Sequence, residues 1–114
     1  MSTWHIVFFP PTGERDSPYD YILSLSDESE KAKIIHRLET LSKIEIGDWP
    51  NTWIHKLTDK IYQLTAGQIR LMYCLDYGTI VILYACRKVK RKTRRKDIAR
   101  AEAHYDRYMS QKKG

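Results

Sequence analysis

The stretch from Ile61 to Arg87 constrains this chain more than any other part, because it holds three strand-length runs separated only by tight-turn residues. Ile61 to Thr65, Ile69 to Leu75 and Thr79 to Arg87 are rich in β-branched, aromatic and other apolar side chains. Ala66-Gly67 and Asp76-Tyr77-Gly78 leave room for hairpin turns but not for a crossover, which takes about a dozen residues or more. An antiparallel meander is therefore expected at the centre of the fold.

The flanking segments read as helices and one more strand. Trp4 to Phe9 is a first strand stopped by Pro10-Pro11, followed by a loop over Thr12 to Asp16. Ser17-Pro18 pairs an N-cap with proline at the first helical position, and Tyr19, Ile22 and Leu23 recur on one face of a short helix. A second helix opens at Asp27, with Glu30 in capping-box position. Its stripe runs through Ile34, Ile35, Leu38 and Leu41 to Glu45 or Ile46, and Gly47 reads as a left-handed cap. Asp48 to Thr52 is a loop, after which the rest of the sheet begins. Ile98, Ala101, Tyr105, Tyr108 and Met109 mark one face of a C-terminal helix with Thr93 as N-cap, and Gln111 to Gly114 reads as a frayed tail. The expected fold class is α+β, an antiparallel sheet packed against two N-terminal helices with a C-terminal helix. A single domain spans residues 1–114.

Register decides which side chains share a face. A three-residue loop over Asp76-Tyr77-Gly78, with Gly78 in the left-handed position, puts Ile69, Leu71, Tyr73 and Leu75 on the face of Val81, Leu83 and Ala85, joined by Tyr62 and Leu64. The other face then carries Gln63 opposite Arg70, with Met72, Cys74, Tyr84, Cys86 and Lys88. That mixture suggests an open groove rather than a core. Cys74 and Cys86 share this face at a separation too great for a disulfide, and a two-residue Tyr77-Gly78 turn would send Arg70 and Lys88 to opposite faces.

Charge adds a direction. The net charge is +6, but the first thirty residues hold six acids and only Arg15 as a base, whereas Arg87 to Arg100 holds nine bases and only Asp97. A polyanion would prefer the second region. No apolar run nears the roughly 18 residues of a membrane span, and Trp4 to Phe9 is too short for a signal peptide, so a cytoplasmic location is expected. Two cysteines and four scattered histidines lack metal-ligand spacing, so no metal or other cofactor is expected. Motifs for Ser-His-Asp or Cys-His nucleophiles and phosphate-cradling glycine loops are missing as well.

From Leu57 to Met109 a more specific pattern emerges in Leu57, Ile61-Tyr62-x-Leu64, Ile69-Arg70-Leu71-x-Tyr73, Ile80-Val81-Ile82-Leu83, Lys88, Lys92-Thr93, Ile98 and Ala101. This order and spacing resembles the RelE/HigB-like toxins, particularly their phage-derived branch. Gln63, Thr65, Cys86, Val89 and Arg94 stand where that pattern usually has Glu, Arg, Phe, Lys and Pro. The resemblance implies a RelE-like fold and the toxin of a type II toxin–antitoxin system. Such a toxin is a metal-independent endoribonuclease that cuts mRNA on the ribosome and is neutralised by a helix-turn-helix antitoxin.

Cleaving RNA without a metal means removing the 2′-OH proton, stabilising a five-coordinate phosphorane and protonating the leaving 5′ oxygen. In this scheme Arg70 holds a phosphate oxygen bidentately, Lys88 and Lys92 add positive charge, and Tyr84 shares their face. Alternatively, Arg70 snorkels from the sheet or pairs with Glu39 or Asp76. Arg87, Lys90, Arg91, Arg94 and Arg95 are assigned to mRNA or ribosomal RNA backbone, against the plainer reading of a solvated charge block. Tyr84, His55, His104, Tyr105 and a lysine of lowered pKa all remain alternatives for the general base. Two other functions compete: a non-catalytic RNA- or DNA-binding or regulatory module on the same fold, and a protein-interaction role for the acidic N-terminal helices.

Overall fold

The computed structural model describes residues 4–44 and 48–113. Among them the chain forms β1 (His5–Phe8), α1 (Pro18–Ser24), α2 (Glu28–Lys43), β2 (Ile54–Lys56), β3 (Tyr62–Ala66), β4 (Ile69–Asp76), β5 (Thr79–Arg87) and α3 (Arg95–Lys113). The sheet order is β1-β5-β4-β3-β2. Within it β2 to β5 pair antiparallel, and β1 lies parallel to β5 with His5 beside Thr79. The fold is thus α+β, with a mixed sheet and helices on both faces. The short β2 edge strand falls in a stretch whose sequence announced strand-length runs without bounding them.

Local chemistry sets the helix starts. Ser17 Oγ accepts the Asp20 N–H at 3.3 Å ahead of Pro18, and Asp27 Oδ1 accepts the amides of Ser29 and Glu30. The Glu30 carboxylate binds Arg87 rather than turning back on its own helix. α2 gives way at Lys43 to extended Ile44; Glu45, Ile46 and the expected Gly47 cap lie outside the described residues, as does Gly114. Thr93 does not cap α3. The Arg94 carbonyl accepts from Asp97 and Ile98, and the Thr93 hydroxyl turns inward to Gln63. The expected fraying at Gln111 is also corrected, since helix continues to Lys113 and Lys112 reaches Asp76 at 2.7 Å.

The β4–β5 turn differs from expectation in an instructive way. Asp76 pairs directly with Thr79, so the turn has two residues, and Tyr77 (φ 43°) and Gly78 (φ 83°) are both left-handed. A turn with both central residues left-handed matches the twist of paired strands better than the looser loop. Ile80 and Ile82 therefore join Leu75 and Tyr73 on one face, while Val81 and Leu83, expected there, go to the other. Further on, a bulge shifts the register between Met72 and Tyr73, so that Tyr73 pairs Ile82 but Met72 pairs Tyr84. The extra residue restores the alternation. Arg70 pairs Cys86, and Thr65, not Gln63, stands across from Arg70.

Each face of the sheet is closed by helices. One side packs Ile34, Leu38 and Leu41 of α2 and Ile22 of α1 onto Leu64, Ile69, Leu71, Tyr73, Ile80 and Ile82. The other is not the open groove that the sequence suggested. Ala101 of α3, flanked by Tyr105 and Tyr108, closes over Met72, Cys74, Val81, Leu83 and Cys86. Cys74 and Cys86 are both buried and unbridged, as expected.

Candidate functional site

Arg70 occupies the polar end of the α3 face, where the apolar packing stops. It is only 4% exposed, and its Nη2 donates to the carbonyls of Lys90 at 2.8 Å and Arg91 at 2.6 Å. A buried guanidinium that donates to backbone in this way holds the chain that follows β5. It is neither snorkelling nor paired with Glu39 or Asp76, and it does not form the open fork for phosphate that the sequence suggested. The same segment is tied twice more, by Lys88 N–H to Gln68 O at 2.7 Å and by the Thr93 hydroxyl to Gln63 Oε1. Gln63 in turn donates to Thr65 Oγ1 at 3.3 Å, so two of the residues that depart from the toxin pattern are linked next to Arg70, and Gln63 helps to anchor the loop.

This anchoring lifts a row of cations into solvent. Lys88, Lys90, Arg91, Lys92, Arg95 and Lys96 are exposed, and among the described residues none of them takes part in an ion pair. Lys90, Lys92, Arg95 and Lys96 line a hollow of about 400 Å³ together with Thr93 and Arg94. The other two cations in the expected set are neutralised locally. Arg87 makes a two-point contact with Glu30 at 2.9 and 3.0 Å, which holds the Glu30 carboxyl below its usual range. Arg94 binds the buried Asp97 at 2.9 Å.

Next to this hollow lies a cleft of about 550 Å³. Its walls are Glu14, Asp16, Ser17, Asp20 and Tyr21 on one side and Val89 and Arg94 on the other, with Tyr84 to Arg87 of β5 between them. α3 braces the acidic wall. Arg107 binds Glu14 at 2.8 Å, and Asp16 takes Arg100 at 3.2 Å and His104 at 3.3 Å. Residues 100, 104 and 107 fall on one helical stripe. Asp16 itself is held in the left-handed region at φ 66°, a conformation aspartate tolerates better than most side chains.

The candidate proton-transfer groups separate clearly. His104 stacks on Tyr84 with ring centroids 6.4 Å apart while bonded to Asp16. His55 lies far off on the β2 edge strand, and the Tyr105 ring receives Lys60 at 5.3 Å. Burial, then the nearby carboxylate of Asp97, pushes the Tyr84 hydroxyl above its ordinary pKa, so it stays protonated and suits donation. Cys86 lines the cleft, but burial and the neighbouring Asp97 push its thiol up to about 11, which leaves it inert as a nucleophile. The acidic wall went unrecognised in the sequence, because Glu14 and Asp16 meet their partners more than eighty residues away. Only the one-sided charge distribution hinted at it.

Among the described residues, no group of three or more histidine, cysteine, aspartate or glutamate side chains is disposed to hold a metal, and no helix is long and apolar enough to cross a membrane. No curated protein matches the chain. A family model does match, described as phage derived protein Gp49-like (DUF891), over residues 20–106, from α1 well into α3. The chain belongs to this Gp49-like family of phage-derived proteins.

Proposed function

We propose that the protein is the toxin of a toxin–antitoxin pair, an RNA-directed protein of RelE/HigB type that cleaves mRNA in the cytoplasm. The observation that carries this reading is the row of exposed cations without acidic partners, Lys88, Lys90, Arg91, Lys92, Arg95 and Lys96, on a loop fixed to the sheet by the buried Arg70. Unpaired cations on an anchored loop suit a phosphodiester backbone and lose little freedom on binding it. In this reading Lys88, Lys92 and Arg94 surround the scissile phosphate, and Lys90, Arg91 and Arg95 hold the flanking mRNA or ribosomal RNA. The Asp16–His104 pair removes the 2′-OH proton, and the 2′ oxygen attacks phosphorus. The bond to the 5′ oxygen breaks as Tyr84 gives that oxygen a proton. The products are a 2′,3′-cyclic phosphate and a 5′-OH. A helix-turn-helix antitoxin would restrain it by covering the cationic loop or the N-terminal helices.

A second reading, RNA binding without cleavage, draws support from Arg70, whose guanidinium is spent on backbone carbonyls. Induced expression in a bacterial host separates the two. Growth arrest with mRNA fragments ending in cyclic phosphate, weakened by Tyr84→Phe and by Lys88→Ala with Lys92→Ala, supports the nuclease. Bound but intact RNA leaves only the binding module. Harmless wild-type expression with no RNA bound would refute both.

A further inference from the structure

We propose that the cleft between residues 14–21 and the end of β5 reads a nucleobase, and that it selects guanine. The proposal rests on the RNA-binding reading above and adds the identity of the base. The carboxylates of Glu14, Asp16 and Asp20 stand with Tyr21 on one side of the cleft and Arg94 on the other, with Tyr84 to Arg87 of β5 between, and of these charges Asp20 alone is outside an ion pair among the described residues. One nucleotide fits when its phosphate faces Arg94 and a donor-rich base edge faces the carboxylate oxygens left open on the other side. Tyrosine rings supply surface for the base itself.

The state of each carboxylate narrows the choice of base. Asp16 has both oxygens engaged, by Arg100 and by His104. Glu14 Oε1 takes Arg107, and Asp20 Oδ2 takes the Gly13 N–H at 2.7 Å. Among the described residues, Asp20 Oδ1 and Glu14 Oε2 accept no hydrogen bond, and Asp20 is the better held, by the Gly13 amide and by its place in the first turn of α1. An ionised carboxylate only accepts. Guanine offers it two neighbouring donors, the N1–H and the exocyclic amino group. Adenine and cytosine offer one amino group beside a ring-nitrogen acceptor. Uracil offers a single N–H between two repelling carbonyl oxygens. The order of preference is therefore guanine first and uracil last.

The test uses fluorescence anisotropy of short oligouridines that are 2′-O-methylated at every residue, so that no 2′-OH remains to attack phosphorus and no cleavage intervenes. The central base is guanine, hypoxanthine or uracil. Wild type is expected to bind the guanine oligonucleotide about tenfold more tightly than the all-uracil one, with hypoxanthine between them because it lacks the amino group. Asp20→Asn should abolish most of that preference and leave the all-uracil affinity unchanged; Glu14→Gln gives the same readout should Asp20→Asn fail to fold. Equal affinity for all three oligonucleotides overturns base reading while RNA binding stands. Binding to none overturns both. Full guanine preference in both variants overturns the assignment to these carboxylates.

Discussion

On the α1/α2 side of the sheet the interior is mostly hydrocarbon, with Ile34, Leu41, Leu64, Ile69, Leu71 and Ile80 excluded from solvent and few polar atoms, among them the Trp49 indole N–H on Leu41 O and the buried Tyr73 hydroxyl. On the α3 side a similar apolar patch under Ala101 gives way, toward the end of β5, to Arg70, Gln63 and Asp97, all at most 4% exposed. The first face is held mainly by shape. The second holds named donors and acceptors and meets most of them from the cationic loop, through the Lys90 and Arg91 carbonyls, the Thr93 hydroxyl and Arg94, so that folding this face also shapes the surface that we propose meets RNA. A substitution on the first face should therefore cost stability alone, whereas one among these polar groups should also alter the loop.

The largest effect is expected from Leu41→Ala, a fully buried side chain, at about 3 kcal/mol in chemical denaturation, with RNA affinity of the folded fraction unchanged. Arg70→Gln should cost about 2 kcal/mol, since two carbonyls lose a charged donor. Unlike Leu41→Ala, it should speed amide exchange at Lys88, whose N–H is held by Gln68 O at the start of the loop. A comparable loss of loop protection in Leu41→Ala would remove the distinction between the faces. Asp76 comes next. Lys112 and Tyr108 hold its carboxyl below the ordinary range, so its stabilisation is present above the unfolded carboxylate pKa near 4 and is lost as pH falls through the depressed folded value. Asp76→Asn should flatten the acid limb of a stability–pH curve; an unchanged limb would show the pair idle. Smallest is Glu14→Gln, whose exposed pair with Arg107 should shift the unfolding midpoint by less than about 1 kcal/mol equivalent.

How much of this was legible in the sequence follows from the range of the interactions involved. Ser17-Pro18 and Asp27 announced their helices because a cap acts within three residues. Strand β5 was bounded correctly by turn residues and β-branched composition. Two errors in the hairpin, a turn one residue too long and an unforeseen bulge, offset each other at Arg70 and Tyr84 but left Val81 and Leu83 on the wrong face. Bulges depend on how strands pack, which composition does not reveal. The cations were visible as a run. Their division into engaged and open members was not, because Glu30 and Asp97 reach Arg87 and Arg94 only after folding. Arg70 stood out correctly as an anomaly in an apolar strand, and only its partner was misjudged, since a carbonyl acceptor leaves no mark in the sequence.

The salt dependence of RNA affinity tests most directly whether Arg70 supports the cationic loop or touches RNA itself. The slope of log Kobs against log salt counts neutralised phosphates, about 0.7 per contact on a single strand. Arg70→Gln is expected to weaken binding with its slope unchanged, while Lys88→Ala and Lys92→Ala each lower the slope by about 0.7. A slope lowered by about 0.7 in Arg70→Gln, with amide protection of Lys88 intact, would contradict a supporting role and put the guanidinium on a phosphate.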